Sequence, residues 1–164
     1  GLIPENRKTQ GFVKNFTNAS NMALASMNRF CSKGFVNARK IYDNCMYYTG
    51  EMNLHPAEPN YLTESLSGGN AQKVIIAKWM TTDADIIIFD EPTKGIDVGA
   101  KAEIYRLMED LVAGGKAIIM VSSELPEVIG MSDRVVVMRE GKIMGFLNHD
   151  ELNEEVIMSF AMGG

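Results

Sequence analysis

Apolar residues in the second half of the chain form short runs that alternate with stretches of helical spacing. The runs are rich in β-branched residues, and strands are predicted at residues 86–89, 117–121, 134–138 and 143–147. Short strands separated by helical patterns are typical of βαβ units around a buried parallel sheet. The pattern therefore predicts an α/β core with a mostly parallel sheet over residues 82–164.

The helix between the first two strands has clear boundaries. Its apolar residues recur at the i, i+3, i+4 and i+7 positions of one helix face, namely Ile104, Leu107, Met108 and Leu111. Asp97 is the predicted N-cap, and Gly114-Gly115 the predicted end. Further along, Glu140-Gly141 predicts a hairpin turn between the third and fourth strands, and residues 148–161 an amphipathic terminal helix.

The first half of the chain lacks strict alternation and predicts a helical lobe. Helices are expected around residues 22–30, 38–48 and 74–80. Residues 55–60 contain two prolines, which cannot continue a helix, so a surface connection is expected there. The predicted organisation is the end of a strand at residues 1–8, a helical lobe at residues 9–81 and the α/β core after it. We expect the first strand to begin upstream of Gly1.

Composition and charge narrow the class of protein. The chain has 164 residues, 46% of them apolar, which is enough for a real hydrophobic core. A net charge of −5 gives no broad basic face, so nucleic acid is not an expected partner. No apolar run approaches the ~20 residues that cross a bilayer, so no transmembrane segment is expected. Cys31 and Cys45 lack metal-ligand spacing and are predicted to be reduced thiols, and His55 and His149 to be ordinary surface residues.

Two adjacent carboxylates, Asp90 and Glu91, follow the apolar run at residues 86–89. Ligands of open α/β sheets bind at the carboxyl ends of the strands, which is where this pair is predicted to lie. Asp90 could hold Mg²⁺, directly or through water, and Glu91 could orient or deprotonate a water that attacks a phosphate. Taken alone, such a pair is more often a solvated strand end than a catalytic site.

A second candidate site is Ser67-Gly68-Gly69-Asn70, which directly precedes a helical pattern. Two glycines let the backbone approach an anion, and the free N–H groups of a helix N-terminus favour phosphate. Ser67 adds a hydroxyl donor and is also a good N-cap. By itself, such a segment is more often a capped turn than a binding site.

The order and spacing of these segments give them a common interpretation. Leu66 to Asn70, then a helix, then Asp90-Glu91, then Lys94 to Asp97, then a strand ending at Ser122-Ser123 resembles the ABC ATPase family. That family carries an LSGGQ signature, a Walker B strand, a D-loop and a switch loop in this order. The resemblance covers the chain from about Ile3 onward and is greatest to the second nucleotide-binding domain of ribose- and galactose-type importer subunits. It implies a partial P-loop NTPase fold.

The resemblance also implies roles for residues, cofactors and partners. Ser67, Gly68 and Gly69 would contact the γ-phosphate of ATP held by a second nucleotide-binding domain, while Asp90 and Glu91 would serve this domain's own ATP and Mg²⁺. Asp97 would be the D-loop residue at the interface between the two domains. Closure on ATP would drive membrane permease subunits, which places the protein in the cytoplasm, on the inner face of the plasma membrane.

Three residues depart from the family's pattern. Asn70 replaces the last residue of the signature and leaves Ser-Gly-Gly intact. Glu5 stands at the Q-loop glutamine, and Ser123 stands where the switch histidine is expected. A serine hydroxyl carries no positive charge and reaches less far than an imidazole. Whether this domain hydrolyses its own ATP is therefore left open by the sequence.

The phosphate-binding loop GxxxxGK[ST] does not occur in these 164 residues. Gly114-Gly115-Lys116-Ala117 lacks the spaced glycine and is better explained as a helix end. We therefore expect negligible ATPase activity from these residues alone. In the family's sheet the strand leading into that loop lies between those of residues 117–121 and 134–138, so two unpaired apolar edges are expected.

Two other functions are compatible with the sequence. The first is a non-catalytic regulatory or interaction module derived from an ABC domain, which Glu5, Ser123 and the absent loop would suit. The second is an ABC ATPase of translation or DNA repair, which the acidic charge and the lack of an Arg/Lys-rich insertion disfavour.

Overall fold

The computed structural model describes residues 1–163, which fall into two compact units. The first unit is Gly1–Val121 and the second is Ser122–Gly164. The helices are α1 (Asn18–Ala23), α2 (Met27–Phe30), α3 (Ala38–Glu51), α4 (Gly68–Met80), α5 (Val98–Ala113), α6 (Leu125–Met131) and α7 (Glu154–Met162). The strands are β1 (Leu2–Ile3), β2 (Cys31–Ser32), β3 (Phe35–Val36), β4 (Ile86–Asp90), β5 (Ala117–Val121), β6 (Arg134–Arg139) and β7 (Lys142–Asn148).

A three-stranded parallel sheet organises the first unit. β4 lies between β1 and β5, with Ile3 opposite Phe89 and Asp90 opposite Val121. Parallel neighbours need a crossover connection, which α5 supplies between β4 and β5. The predicted βαβ unit is thus confirmed, and the carboxyl ends of all three strands meet at one edge of the sheet.

Helix α4 forms the centre of the first unit. Every residue from Ala71 to Lys78 is buried, and Val74, Ile76 and Ala77 are completely enclosed. α4 contacts α1, α5, β1 and the π-helical turn Arg7–Gly11. A helix that is apolar on most sides is stable only when it is covered on most sides, which explains why these elements assemble around it.

The helical lobe differs from the prediction in two places. The helix expected at residues 22–30 is broken by a short 3₁₀ turn between α1 and α2, where Ser26 leaves helical geometry and its hydroxyl donates to the carbonyl of Ala23. Such side-chain bonding by serine competes with the helix. The helix expected at residues 38–48 is confirmed as the longer α3. The two-residue strands β2 and β3 form a hairpin that the sequence pattern did not predict.

A buried polar cluster fixes the segment that leads into α4. The hydroxyl of Thr63 donates to Asn18 Oδ1 at 3.0 Å and accepts from Asn21 Nδ2 at 2.9 Å. Asn18 Nδ2 donates to the carbonyl of Glu58, and the amide of Asn21 also bonds the backbone at Val13. A buried polar group is costly unless it is paired, so these bonds are expected to persist together. They hold Thr63, which lies shortly before the signature segment, against α1.

The strand predicted at residues 117–121 is present, but its predicted burial is wrong. Ile119 and Val121 in β5 are 52% and 49% exposed. Among residues 1–163, β5 pairs only with β4, so its second edge lies open. In the second unit β6 pairs only with β7, and Val136 and Met138 are exposed. Within the described residues, the expectation of two unpaired apolar edges is therefore confirmed.

The second unit is built on the predicted hairpin of β6 and β7. Glu140 and Gly141 both have positive φ, as a tight hairpin turn requires. Its core cluster contains Val135, Val137, Leu147 and Ile157. The expected terminal helix at 148–161 is wrong at its start, because Asn148 ends β7 and forms a capping box with Glu151. Helix α7 begins only at Glu154, after the N-cap Asn153, whose Oδ1 accepts from the backbone N–H of Val156 at 2.8 Å. Helix α6 was not predicted.

The two cysteines and the two histidines differ in exposure. Cys31 is exposed and Cys45 is buried, both as free thiols, and burial raises the pKa of Cys45 to about 11. His55 and His149 are exposed. The surface position predicted for His55 and His149 is confirmed.

Close packing at Gly11 provides a test of how tightly α4 is enclosed. A Cβ at Gly11 would overlap the Cδ1 of Ile75, which is only 1% exposed and has no free space to move into. We expect Gly11→Ala to lower the free energy of unfolding by about 1–3 kcal/mol. Gly50→Ala, on α3 with open space around it, is the matched control and should change that free energy by less than about 1 kcal/mol. Urea unfolding compares them, and equal midpoints would contradict this packing.

Candidate functional site

The acidic pair lies where the sequence predicts it. Asp90 is the last residue of β4, and Glu91 follows with a positive φ of 47°, an uncommon backbone conformation for a residue other than glycine. The N–H of Glu91 donates to the carbonyl of Val121 at 2.8 Å, which continues the β4–β5 pairing by one bond. Both side chains are half-buried. Such a conformation after a strand end turns the chain sharply, with Asp90 and Glu91 at the carboxyl end of β4.

The turn after Glu91 brings the D-loop segment back toward the strand end. The N–H of Lys94 donates to the carbonyl of Glu91, and that of Ile96 to the carbonyl of Thr93. Thr93 is 1% exposed, so the turn packs against the interior at that residue. Gly95 has a φ of 67°, a left-handed backbone conformation that favours glycine. Asp97 then caps α5, with Oδ1 accepting from the N–H of Ala100 at 2.9 Å. The N-cap predicted from the sequence is confirmed.

Glu5, the residue at the Q-loop glutamine position, is paired with a cation. Its Oε1 accepts from Lys94 Nζ at 2.5 Å, across 89 residues of sequence. The bond and charge of Glu5, followed by the nearby Glu91 and Asp90, hold the pKa of Lys94 above its ordinary value. Lys94 therefore offsets one of three neighbouring carboxylates.

Arg7 binds the same turn from the other side. Its Nη2 donates to the carbonyl of Lys94 at 3.0 Å and lies 3.5 Å from the carbonyl of Gly95. Burial lowers the pKa of Arg7, although an arginine stays charged at any physiological pH. No role for Arg7 or Lys94 was predicted from the sequence. Arg7 does lie in the family-like segment 4–8, and Lys94 in the D-loop segment.

The signature segment forms a capped helix start with an additional bond. Ser67 is the N-cap of α4, and its Oγ accepts from the backbone N–H and the Nδ2 of Asn70, at 3.4 and 3.0 Å. The Oδ1 of Asn70 is fixed in turn by the N–H of His55 at 2.9 Å. The Ser67 oxygen is the acceptor in both bonds, and among the described residues no bond donated by its hydroxyl is found. The hydroxyl is therefore available to donate to an anion at the exposed helix N-terminus.

Glycine is required in the signature segment for close contact between helices. A Cβ at Gly69 would lie 2.9 Å from the Cβ of Ala100 on α5. A Cβ at Gly68 would meet the carbonyl of Gly95 at 3.4 Å and Arg7 Nη2 at 3.5 Å. The signature turn thus packs directly against the D-loop segment and the start of α5.

A cavity of about 460 Å³ opens beside these segments. Its lining combines residues from the π-helical turn, the segment before α4, and the D-loop turn. They are Glu5, Asn6, Arg7, Lys8, Phe12, Thr63, Glu64, Leu66, Gly68, Ala71, Lys94 and Gly95. Glu5 and Gly68, two predicted site residues, therefore share one surface cleft.

Ser123 belongs to the second unit, where it is exposed two residues beyond the end of β5. Its neighbour Ser122 donates from its hydroxyl to Glu127, a buried carboxylate on α6. Ser123 itself is not drawn into that contact. All the other predicted site residues belong to the first unit.

Asp90 and the Ser67 turn are the described residues that could contribute to a site for ATP and Mg²⁺. Within residues 1–163 no group of three or more His, Cys, Asp or Glu side chains is arranged to hold a metal ion. Mg²⁺ bound to nucleotide commonly uses one or two carboxylates, with phosphates and waters as its other ligands. Asp90 at the strand end fits that pattern, and the Ser67 turn fits a phosphate. In the same residues, no helix has both the length and the apolarity to span a bilayer.

The ion pair at Lys94 predicts a measurable pH dependence. Glu5 stabilises the protonated lysine, so the contribution of the pair to stability is complete below pH 10.5 and is lost as the pH rises through the raised pKa. We expect Glu5→Gln to lower the pKa of Lys94 toward 10.5, as read from the NMR titration of its side chain. Asp43→Asn, which removes the partner of Arg39 on α3, is the control and should leave the titration of Lys94 unchanged. An unaltered pKa in Glu5→Gln would rule out the pair.

The amino-acid sequence of the chain is similar to those of known proteins of one family. The sequence pattern of the ABC transporter family matches residues 2–94. The ribose import ATP-binding protein RbsA of Halalkalibacterium halodurans is 47% identical over 166 residues, covering 100% of this chain and 33% of its own length. RbsA of Clostridium perfringens strain 13 is 45% identical over 162 residues, covering 98% of this chain and 32% of its own length. The chain therefore spans about a third of these curated relatives.

Solved structures agree on the fold. An ATP-binding cassette of an ABC transporter matches with a TM-score of 0.74 at 21% identity, covering 97% of this chain and 64% of that one. A dimeric ATP-binding cassette in a post-hydrolysis state, bound to ADP and Pi, matches with a TM-score of 0.73 at 19% identity, covering 91% and 62%. The family pattern matches more than half of this chain's residues. The chain therefore belongs to the ABC transporter family, as part of an ATPase domain with a partial P-loop fold.

Proposed function

We propose that this chain is part of the ATP-hydrolysing, energy-coupling subunit of an ABC importer for a sugar, ribose or a related one. The observation that carries the proposal is the Ser67 turn at the exposed N-terminus of α4, where the hydroxyl oxygen accepts two bonds from Asn70 and, within residues 1–163, its proton is left available to a ligand. The 47% and 45% identity to two ribose import ATP-binding proteins supports the type of transporter.

The signature turn would act on a nucleotide held by another domain. Ser67, Gly68 and Gly69 offer a hydroxyl and free backbone N–H groups, and the dipole of α4 favours an anion at that end. The γ-phosphate of ATP is the anion that this arrangement suits. The dimeric cassette bound to ADP and Pi, which has the same fold, supports a second nucleotide-binding domain as the partner.

The acidic pair would serve this domain's own nucleotide. Asp90 would hold Mg²⁺, directly or through water, and the ion would neutralise charge on the β- and γ-phosphates. Glu91, which the left-handed turn places next to it, would orient a water for attack on the γ-phosphate. Asp97 would contribute at the domain interface, where its backbone turn is fixed by the cap on α5.

Two departures from the family pattern, Glu5 and Ser123, would have different effects on hydrolysis of this domain's own ATP. The charge of Glu5 is paired with Lys94, so the Q-loop position keeps a neutral pair in place of a neutral glutamine. Ser123 has no such compensation, because a hydroxyl cannot replace the charge and reach of the switch histidine. Hydrolysis of this domain's own ATP would therefore be slower than hydrolysis of the nucleotide that its signature turn contacts.

The proposed setting follows from the transporter role. The parent subunit would lie in the cytoplasm, on the inner face of the plasma membrane, with two nucleotide-binding domains facing each other and permease subunits against them. The phosphate-binding loop that completes the ATP site would come from outside these 164 residues. These residues alone are proposed to be inactive.

A non-catalytic module is the second candidate function, and the exposed Ser123 is the observation that favours it. Such a module would retain the signature turn and support hydrolysis by its partner only. The two proposals differ in the effect of removing Glu91.

Substitution of Glu91 tests the hydrolytic role. In the full-length parent assembled with its permease, we expect Glu91→Gln to lower the total rate of ATP hydrolysis measurably but by less than about half, because the water at this domain's own, slower site loses the carboxylate that orients it. Glu109→Gln, on the exposed surface of α5, is the control and should leave the rate unchanged. A phosphate-release assay measures both, and an unchanged rate in Glu91→Gln would favour the non-catalytic module. Turnover by the isolated chain, lost in Glu91→Gln, would contradict its proposed inactivity.

Substitution of Asn70 tests the role of the Ser67 hydroxyl. An aspartate at this position would accept the Ser67 proton and turn it away from the phosphate, so Asn70→Asp should raise the ATP concentration for half-maximal activity about tenfold or more. Asn70→Gln keeps an amide donor and should stay within about threefold of the wild type. Steady-state kinetics of the two variants in the parent protein measure the ATP concentration for half-maximal activity. Equal values for both would show that the orientation of this hydroxyl is not important.

A further inference from the structure

Arg7 joins three segments that are far apart in sequence. It lies on the π-helical turn after the Q-loop position, while the carbonyls it binds belong to Lys94 and Gly95, 87 and 88 residues away. The same Nη2 lies 3.5 Å from the position that a Cβ would take at Gly68. One guanidinium group thus bonds the D-loop turn and lines the same cleft as the first residue of the signature helix.

The carbonyls bound by Arg7 are acceptors that the turn leaves open. The turn uses its N–H groups internally, at Lys94 and Ile96, and its carbonyl oxygens at Lys94 and Gly95 face the guanidinium. Hydrogen bonds from a charged donor are about twice as strong as neutral ones. Arg7 is also half-buried, whereas the neighbouring Lys94–Glu5 pair is 62% and 47% exposed. Exposed pairs contribute little, so Arg7 is the stronger link between these segments.

The two segments that Arg7 joins would serve different nucleotides. The signature turn would contact ATP held by the partner domain, and the D-loop turn directly follows the acidic pair that would act on this domain's own ATP. A change in the position of one would be transmitted to the other through the Arg7 side chain and through the carbonyl of Gly95, which would lie 3.4 Å from a Cβ added at Gly68.

We propose that Arg7 is a positioning residue that couples the two half-sites of this chain, by holding the D-loop turn at Lys94–Gly95 against the signature turn at Gly68. The inference rests on the proposed function, and it adds a role that neither the signature nor the Walker B segment accounts for. Arg7 touches no nucleotide in this proposal. It acts on Asp97 and Ser67 through the backbone that it fixes.

The test compares three variants in the full-length parent assembled with its permease. Arg7→Gln removes the charged donor, Arg7→Lys keeps a shorter one, and Arg39→Gln removes an exposed arginine of the same lobe, 83% exposed and paired with Asp43. We expect Arg7→Gln to lower kcat for ATP about tenfold while KM stays within about twofold, since the loss affects assembly of the closed site rather than capture of ATP. Arg7→Lys should recover part of the loss, and Arg39→Gln should match the wild type.

Hydrogen–deuterium exchange on the same proteins without ATP gives a readout that does not depend on hydrolysis. Arg7→Gln should raise exchange about threefold or more in peptides covering residues 66–71 and 92–98, with the middle of α4 and of α5 unchanged. Exchange in Arg39→Gln should be unaltered in both peptides.

The outcomes separate the coupling from the function on which it rests. A wild-type parent without ATPase activity refutes the proposed function, and the exchange pattern still decides whether Arg7 holds the two turns together. An active parent in which Arg7→Gln keeps its kcat overturns the coupling. So does faster exchange throughout α4 and α5, which would mark general destabilisation, and so does an Arg7→Lys variant no better than Arg7→Gln.

Discussion

The enclosure of α4 is the constraint on which the rest of the first unit depends. The helix is buried from Ala71 to Lys78, including two lysines that are only 6% and 8% exposed. Lys73 Nζ donates to the carbonyl of Asn53 and to Glu103, and Lys78 Nζ to the carbonyl of Gly11, while burial lowers the pKa of Lys78. Buried ammonium groups are tolerated only with such partners. The neighbours of α4 are therefore fixed by charge as well as by packing, and with them the position of its N-terminus, where Ser67 lies.

Much of this arrangement was predictable because it is local. Asp97 and Ser67 cap the helices that follow them, Gly114 ends α5, and Ile104 and Met108 face the core, all as sequence spacing indicates. Each of these features depends on residues within one or two helical turns. The periodicity of apolar positions and the chemistry of caps carry that information directly.

The features that sequence reasoning missed depend on long-range contacts or on competing local bonds. Arg7 and Lys94 gain their roles from partners 87 and 89 residues away, which no spacing rule connects. The break before α2 comes from Ser26, whose hydroxyl competes for a backbone carbonyl, and the late start of α7 from the capping box of Asn148. The open face of β5 has another cause. An apolar run predicts a strand, but its side chains are buried only where another layer covers the face on which they lie, and Ile119 and Val121 share a face that is exposed among the described residues.

The Glu5–Lys94 pair reduces the electrostatic effect of one departure from the family pattern, the glutamate at the Q-loop position. A carboxylate at the glutamine position, close to Asp90 and Glu91, would repel a triphosphate if it stood alone. Lys94 lies within hydrogen-bonding distance of it and is itself held in place by Arg7 through its backbone carbonyl. Glu5 is thus one half of a neutral pair rather than a free negative charge. Among the described residues, Ser123 has no comparable charged partner, and the hydroxyl bonded to Glu127 is that of Ser122. Under the proposed function, compensation of one departure and not of the other would favour the role of the signature turn over hydrolysis at this domain's own acidic pair. The proposed asymmetry between the two nucleotide sites would follow from that difference.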